Sequence, residues 1–290
     1  MKLIIKFNLV FIAIFLLGLA VAGRISYTLL QKNAEDEILQ NARIMMQSAL
    51  ATRNYTTTQI KPLLETQMKY TFLPQTVPAY AATEAFNDLR NKYPEYNYKE
   101  ATLNPTNPRD RTVDWEADIV NQFRQGTDMN EIVGVRDTPG GRSLYLARPI
   151  QIKNPACLEC HSTVEAAPKT MIDKYGPANG FGWRLNETVG AQIVSVPTDV
   201  PLQRAEKTFK VFMLSLTGVF GFIFVVLNLM LFFIVIRPVT SLSTIADEVS
   251  LGNMEAPEFT VKGKDEIGTL AGSFDRMRKS LVKALKMLEE

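Results

Sequence analysis

Both cysteines and the only histidine of this 290-residue chain fall within "CLECH", from Cys157 to His161. Two thiols and an imidazole at C-x-x-C-H spacing match the chemistry of c-type haem attachment, in which the thiols add across the porphyrin vinyl groups and the neighbouring imidazole becomes an axial ligand of the iron. On that reading Cys157 and Cys160 anchor a covalent haem c, one per chain, and His161 is its ligand. Three other chemistries use the same residue types. A disulfide between Cys157 and Cys160 needs no histidine and closes too short a loop to stabilise much. A redox C-x-x-C sits at a helix start in a thioredoxin-like βαβ setting that this sequence lacks. A zinc site requires a fourth ligand from elsewhere.

Since no other Cys or His exists, the opposite face of the iron falls to Met, Lys, Tyr, water or nothing. Met45 and Met46 lie side by side on a helical stretch where Ala42 and Ala49 leave room for a flat ring. Met68, Met129 and Met171 are weaker candidates. A Met on an apolar helix face also serves as core filler, so both readings of the pair stand. Arg53 and Arg148 are the candidates to hold haem propionates through charge-assisted bonds, against the alternative of solvated surface arginines. Trp183 and Tyr145 read as packing residues.

The elements that position these residues begin with two apolar blocks. "LVFIAIFLLGLAVA", Leu9 to Ala22, reaches about the 20 residues needed to cross a bilayer when Leu3 to Phe7 are added. "VFMLSLTGVFGFIFVVLNLMLFFIVI", Val211 to Ile236, is longer and carries no charge. The expected organisation is a transmembrane helix at 1–23, an exported domain at 24–209, a second transmembrane helix at 210–236 and a final segment at 237–290. Lys2, Lys6 and the small residues before Gly23 also suit a cleaved signal peptide. Flanking Lys and Arg do not settle the orientation, although long domains translocate largely regardless of charge. The net charge of +2 gives no reason to expect a nucleic-acid partner. The lipid bilayer is the expected one.

Within the exported domain, Ile38, Ala42, Met45 and Ala49 recur at helical spacing, predicting a long helix from Glu35 to Glu65 that ends near Pro62. A short helix is expected near Thr83 to Lys92. Strands are expected at 96–103, 129–137, 142–152 and 188–197, with "TPGG" turning a hairpin between the second and third. The fold class is α+β. The cysteine motif falls in the loop between the third and fourth strands.

After the second apolar block, Val239, Leu242, Ala246 and Val249 repeat at coiled-coil spacing, as do Ile267, Leu270, Phe274, Met277, Leu281, Ala284 and Leu288. With Pro238, Gly252 and "DEIG" at Asp265 to Gly268, this segment resembles a HAMP domain. The resemblance implies a parallel four-helix bundle made by two chains, in the cytoplasm, and it favours the uncleaved first anchor. The exported domain resembles the PAS-like haem c sensor domain of bacterial membrane receptors. The stretches that carry this are "RNYTTTQIKP", "PAYAATEAF", "YLARPI", "CLECHSTVEAAP", "YGPANGFGW" and "VGAQIVSVP". It implies a PAS-like five-stranded antiparallel sheet with the long helix packed across it, flanked by two transmembrane helices and a cytoplasmic HAMP coiled coil.

The expected function is a membrane-anchored haem c sensor of redox state or a diatomic gas, relaying a signal through a dimeric HAMP bundle to a separate cytoplasmic partner such as a histidine kinase. The alternative is a membrane-anchored c-type electron carrier. No enzymatic activity is expected, because the sole histidine is exported and no phosphoacceptor histidine remains for the cytoplasmic segment. The expected location is the bacterial inner membrane, with the sensor domain periplasmic or otherwise extracytoplasmic.

Overall fold

The computed structural model describes residues 2–126, 129–139, 141–257 and 265–289. The chain divides into two compact units, residues 28–208 and residues 1–27 with 209–290. Helix α1 (Leu3–Tyr55) brings a buried stripe into the first unit, with Ile38, Ala42, Met45, Met46 and Ala49 all inside. These steps of three and four residues line up one helix face.

The helix does not stop near Pro62, as the sequence suggested. It passes through a π-helical turn, Thr56–Ile60, directly into α2 (Lys61–Met68). Proline lacks an N–H and crowds the carbonyl four residues back. A π turn, whose bonds reach one residue further, absorbs that misfit. The hydroxyls of Thr56, Thr57 and Thr58 donate to the carbonyls of Thr52, Arg53 and Asn54 at 2.8, 2.9 and 2.9 Å, adding side-chain bonds along the widened turn.

Helix α3 (Pro78–Lys92) opens on a proline, where the missing N–H has no helical partner to lose. Then come β1 (Asn97–Thr102), α4 (Asp114–Gln125), β2 (Ile132–Thr138), β3 (Gly141–Gln151), α5 (Leu158–His161), α6 (Lys169–Tyr175) and β4 (Thr188–Pro197). Among the described residues the sheet has four strands in the order β1-β4-β3-β2, where the family resemblance implied five. All neighbours pair antiparallel, and β2 meets β3 in a hairpin running from Ile132↔Ala147 to Thr138↔Gly141. Gly140, within the expected "TPGG" turn, lies outside the described residues.

Side-chain alternation divides the sheet into two faces. On one, Tyr98, Leu144, Leu146, Val194 and Val196 pack with the α1 stripe and with Ala82 and Phe86 of α3. On the other, Ala101, Ala147, Ala191 and Ile193 pack with Ile119, Val120 and Phe123 of α4. Helix α4 is an element the sequence reading did not anticipate. Each large apolar side chain buried here contributes roughly 1.5–3 kcal/mol.

In the second unit, the first residues of α1 and most of α7 (Asp199–Met230) are long and apolar enough to cross a membrane. Phe15 stacks on Phe220 at 5.2 Å, while Gly18 and Gly23 sit against Phe220 and Met213. A second π turn, Leu231–Ile236, precedes Pro238 at the start of α8 (Arg237–Ser250). Helix α8 ends in a Schellman motif around Gly252, whose φ is +97°: the N–H groups of Gly252 and Asn253 donate to the carbonyls of Val249 and Glu248. Helix α9 (Glu266–Glu289) is capped by Asp265, whose Oδ1 accepts from the Gly268 N–H at 2.8 Å. That cap gives "DEIG" its local meaning. Leu242, Val249, Ala256 and Ala271 are buried, whereas Leu270, Met277 and Leu281 stay exposed on the single chain. The side chain of Leu288 lies outside the described residues.

Candidate functional site

Asn154 and Pro155 set up the cysteine motif. The Asn154 Oδ1 accepts from the Ala156 N–H at 3.0 Å, and a 3₁₀ turn at Pro155–Cys157 feeds α5. Residues three and four apart on a helical turn share a side, so Cys157 is followed on its own side by Cys160 and His161. Both thiols are free and half-buried. Burial pushes the Cys160 thiol above its ordinary value, only partly opposed by Lys61. Among the described residues no three His, Cys, Asp or Glu side chains converge as metal ligands.

The His161 ring is held on two sides. Its Nδ1 lies 2.8 Å from the Gly180 carbonyl, which can only accept, so the proton sits on Nδ1 and Nε2 carries the lone pair. Burial lowers the imidazole's proton affinity despite the opposing Gly180 bond, which favours the neutral, ligating form. One ring face stacks on Trp183, with centroids 4.0 Å apart and planes 15° from parallel. Thr106 Oγ1 is 3.4 Å from Nδ1. A ligand histidine commonly has its second nitrogen bound in this way. Two half-buried thiols on one side of a turn and an imidazole whose Nε2 carries the lone pair fit a porphyrin attached through thioethers.

The charges of Arg53 and Lys61, on either side of the π turn, act on Cys157 and Cys160. Arg53 also has a protein partner. Its Nη1 donates to both Glu100 oxygens at 2.5 Å, and the Tyr98 hydroxyl donates to Glu100 at 2.5 Å while accepting from Gln192 Nε2 at 3.1 Å. Burial disfavours the Arg53 charge, but Glu100 outweighs it and holds the guanidinium above its ordinary value. Burial and Glu100 together push the Tyr98 hydroxyl well up. Arg148 bonds Glu131 at 3.0 and 3.2 Å, and Glu131 also takes Arg43. Despite some burial cost, the bonds from Arg148 and Arg43 keep the Glu131 carboxyl low. Each arginine expected at a propionate therefore also serves a carboxylate of the chain.

Met46 is fully buried and Met45 nearly so, both within the core between α1 and the sheet. Met68 Sδ accepts from Thr76 Oγ1 at 3.0 Å, Met171 is buried, and Met129 is exposed. Tyr145 lies against Trp115 at 5.5 Å. Sequence reasoning missed Glu100, Lys61, Asn104 and Gly180. Strand alternation puts Glu100 on the same face as Tyr98, the face α1 covers, and a carboxylate there signals a buried partner. The glycines of "YGPANGFGW" were the available sign of a tight wrap around another group.

The sequence of residues 31–197 matches the Tll0287-like family. The chain belongs to that family. Beyond the Tll0287-like domain, residues 233–283 match the HAMP domain. No curated protein matches. Among solved structures, the crystal structure of the cyanobacterial heme-protein Tll0287 is similar at 15% identity, covering 56% of this chain and 95% of that one, with a TM-score of 0.44.

Proposed function

We propose that this Tll0287-like chain is a membrane-anchored haem c sensor that passes a redox or diatomic-gas signal through a dimeric HAMP bundle to a separate cytoplasmic partner, such as a histidine kinase. The observation that carries the reading is the CxxCH turn, whose single histidine has Nδ1 engaged by Gly180, leaving the lone pair on Nε2. Family membership supports it, since Tll0287 is itself described as a heme-protein. The HAMP match and two apolar helices support a membrane signalling protein. An exported, PAS-like sensor domain and a cytoplasmic HAMP segment complete the proposal. No catalytic activity is assigned.

A bound haem c supplies an iron whose charge and ligation change with electrons or gases. The chain's own residues do the rest. Cys157 and Cys160 would hold the ring through thioethers and His161 would supply Nε2 as a ligand. Arg53 and Lys61, which flank the π turn and whose charges act on the two cysteines, would offer positive charge to propionates. Met46 or Met45 is proposed for the sixth position, an assignment that requires one of them to leave the core packing it has here. A change at the site acts on α1, through Arg53, and on β4, through Glu100, Tyr98 and Gln192. Both elements continue along the chain into apolar helices.

The test is covalent haem. Chain matured with the c-type attachment machinery should stay haem-stained on a denaturing gel, and Cys157→Ala with Cys160→Ala should abolish the stain. Wild-type chain free of haem under those conditions overturns the reading. Carbon monoxide binding without displacement of a ligand would replace the methionine assignment by an open, gas-sensing site.

A further inference from the structure

The contacts made by Trp183 fall outside anything the haem reading requires of a CxxCH motif. The indole covers one face of His161 at 4.0 Å, while Gly180 bonds the ring edge at 2.8 Å. One contact acts along the ring normal and the other in the ring plane. Together they fix both the tilt of the imidazole and its rotation about the Cβ–Cγ bond.

This hold is built from the backbone outward. The Trp183 N–H donates to the His161 carbonyl at 3.1 Å, and the Gly182 N–H to the Ser162 carbonyl at 2.9 Å, so the two segments are tied side by side. Gly180 and Gly182 have φ of +88° and +81°, which lets the intervening chain turn sharply enough for a carbonyl and an indole three residues apart to reach one ring. A Cβ on Gly180 would collide with Thr106. Behind the Gly180 carbonyl stands Asn104, whose Oδ1 accepts from the Gly180 N–H at 3.3 Å and whose Nδ2 donates to the Phe181 carbonyl at 3.4 Å. Asn104 thereby holds the two peptide groups on either side of that carbonyl.

We propose that Trp183 and Asn104 are positioning residues for His161, Trp183 setting the plane of the ligand ring and Asn104 the strength of its Nδ1–H bond to Gly180. The proposal rests on the haem reading. A firm Nδ1–H···O=C bond makes Nε2 a stronger donor, and a stronger donor favours the ferric over the ferrous state. A fixed ring plane gives the ferric iron a single ligand field.

The experiment uses full-length chain in detergent, wild type beside Trp183→Leu, Trp183→Phe and Asn104→Ala, each first checked for covalent haem by the stained gel. Trp183→Leu should broaden or split the ferric electron paramagnetic resonance signal, and Trp183→Phe, which keeps a stacked ring, should restore the single signal. Asn104→Ala should raise the midpoint potential by about a tenfold change in ferric preference, ~59 mV for a one-electron couple. A second measurement covers a variant that fails to mature. Because the chain has a single histidine, histidine-labelled Cys157→Ala/Cys160→Ala chain gives one imidazole to observe by NMR. Its ring protons should be shifted upfield by the indole, and Trp183→Leu should remove that shift. Haem-loaded Trp183→Leu and Asn104→Ala chains with unchanged resonance signal and potential overturn the proposal while leaving the haem reading intact. An imidazole without the upfield shift overturns the stacking on which it stands, and a wild-type chain without haem removes both.

Discussion

Glu100 is 3% exposed and answers to two donors, Arg53 and Tyr98, so its removal strands a buried guanidinium as well as a buried hydroxyl. Breaking a buried pair from one side typically costs about 3–5 kcal/mol. Glu100→Ala should therefore lower the thermal midpoint by several degrees in a calorimetric or dichroism melt, and Arg53→Met in the same chain should recover part of the loss. Full additivity of the two changes would contradict the pairing. Asp110 gives a pH prediction. Burial raises its carboxyl to about 6 against an ordinary 3.8, with Glu100 adding to the rise and Arg109 and Lys99 opposing it. The folded state thus holds this proton more tightly than the unfolded one. Its ionisation opposes folding as pH rises from about 4 to about 6, by up to ~3 kcal/mol. Asp110→Asn should raise stability at pH 7 and flatten the pH dependence in that window; an unchanged melt at pH 7 contradicts it. Residue types alone singled out Cys157, Cys160 and His161 because rare residues at tight spacing are visible in one dimension. The partners of Arg53 and His161 were not, since Glu100 and Gly180 lie 47 and 19 residues away and meet them only through the fold.

The most consequential elements are the two π turns, each followed two residues later by a proline, Pro62 and Pro238. Each turn holds one residue more than an α-helix would over the same rise, and closing it would rotate everything downstream by about 100°. Pro62→Ala removes the steric reason for the first turn. Amides 57 to 61 should then become more protected in hydrogen exchange, and the altered seating of Lys61 should shift the haem midpoint potential. Exchange and potential identical to wild type would show that the proline does not maintain the turn. Pro62 predicts a stop, but a π turn and back-bonding threonines let the helix continue to Met68. The four strands and the long helix were legible because alternation and 3.6-residue periodicity are strong over such lengths. Helix α4 was hidden by its proline-rich approach, although Ile119, Val120 and Phe123 mark one face. The fifth strand came from family resemblance, and no residue pattern had called for it.

At the scale of the whole molecule, the sensor account requires that two chains associate through the HAMP segment and that their arrangement depend on the haem. Leu270, Met277 and Leu281 are exposed on α9 of the single chain, spaced seven and four residues apart. An unpartnered apolar stripe at that spacing is suited to a coiled-coil seam. An effector shifts an equilibrium only by its differential interaction with two states. The bias needed is modest, about 1–3 kcal/mol. An electron carrier has no need of it. The most direct measurement is disulfide cross-linking of full-length Leu270→Cys chain in membranes, with Cys157 and Cys160 occupied by haem thioethers, compared between reduced and oxidised iron and with carbon monoxide or nitric oxide bound. The account predicts cross-links between two copies of the chain at rates that change with the state of the iron. Equal rates in every state, alongside rapid electron exchange with a soluble cytochrome, would contradict the relay and make the chain an anchored electron carrier.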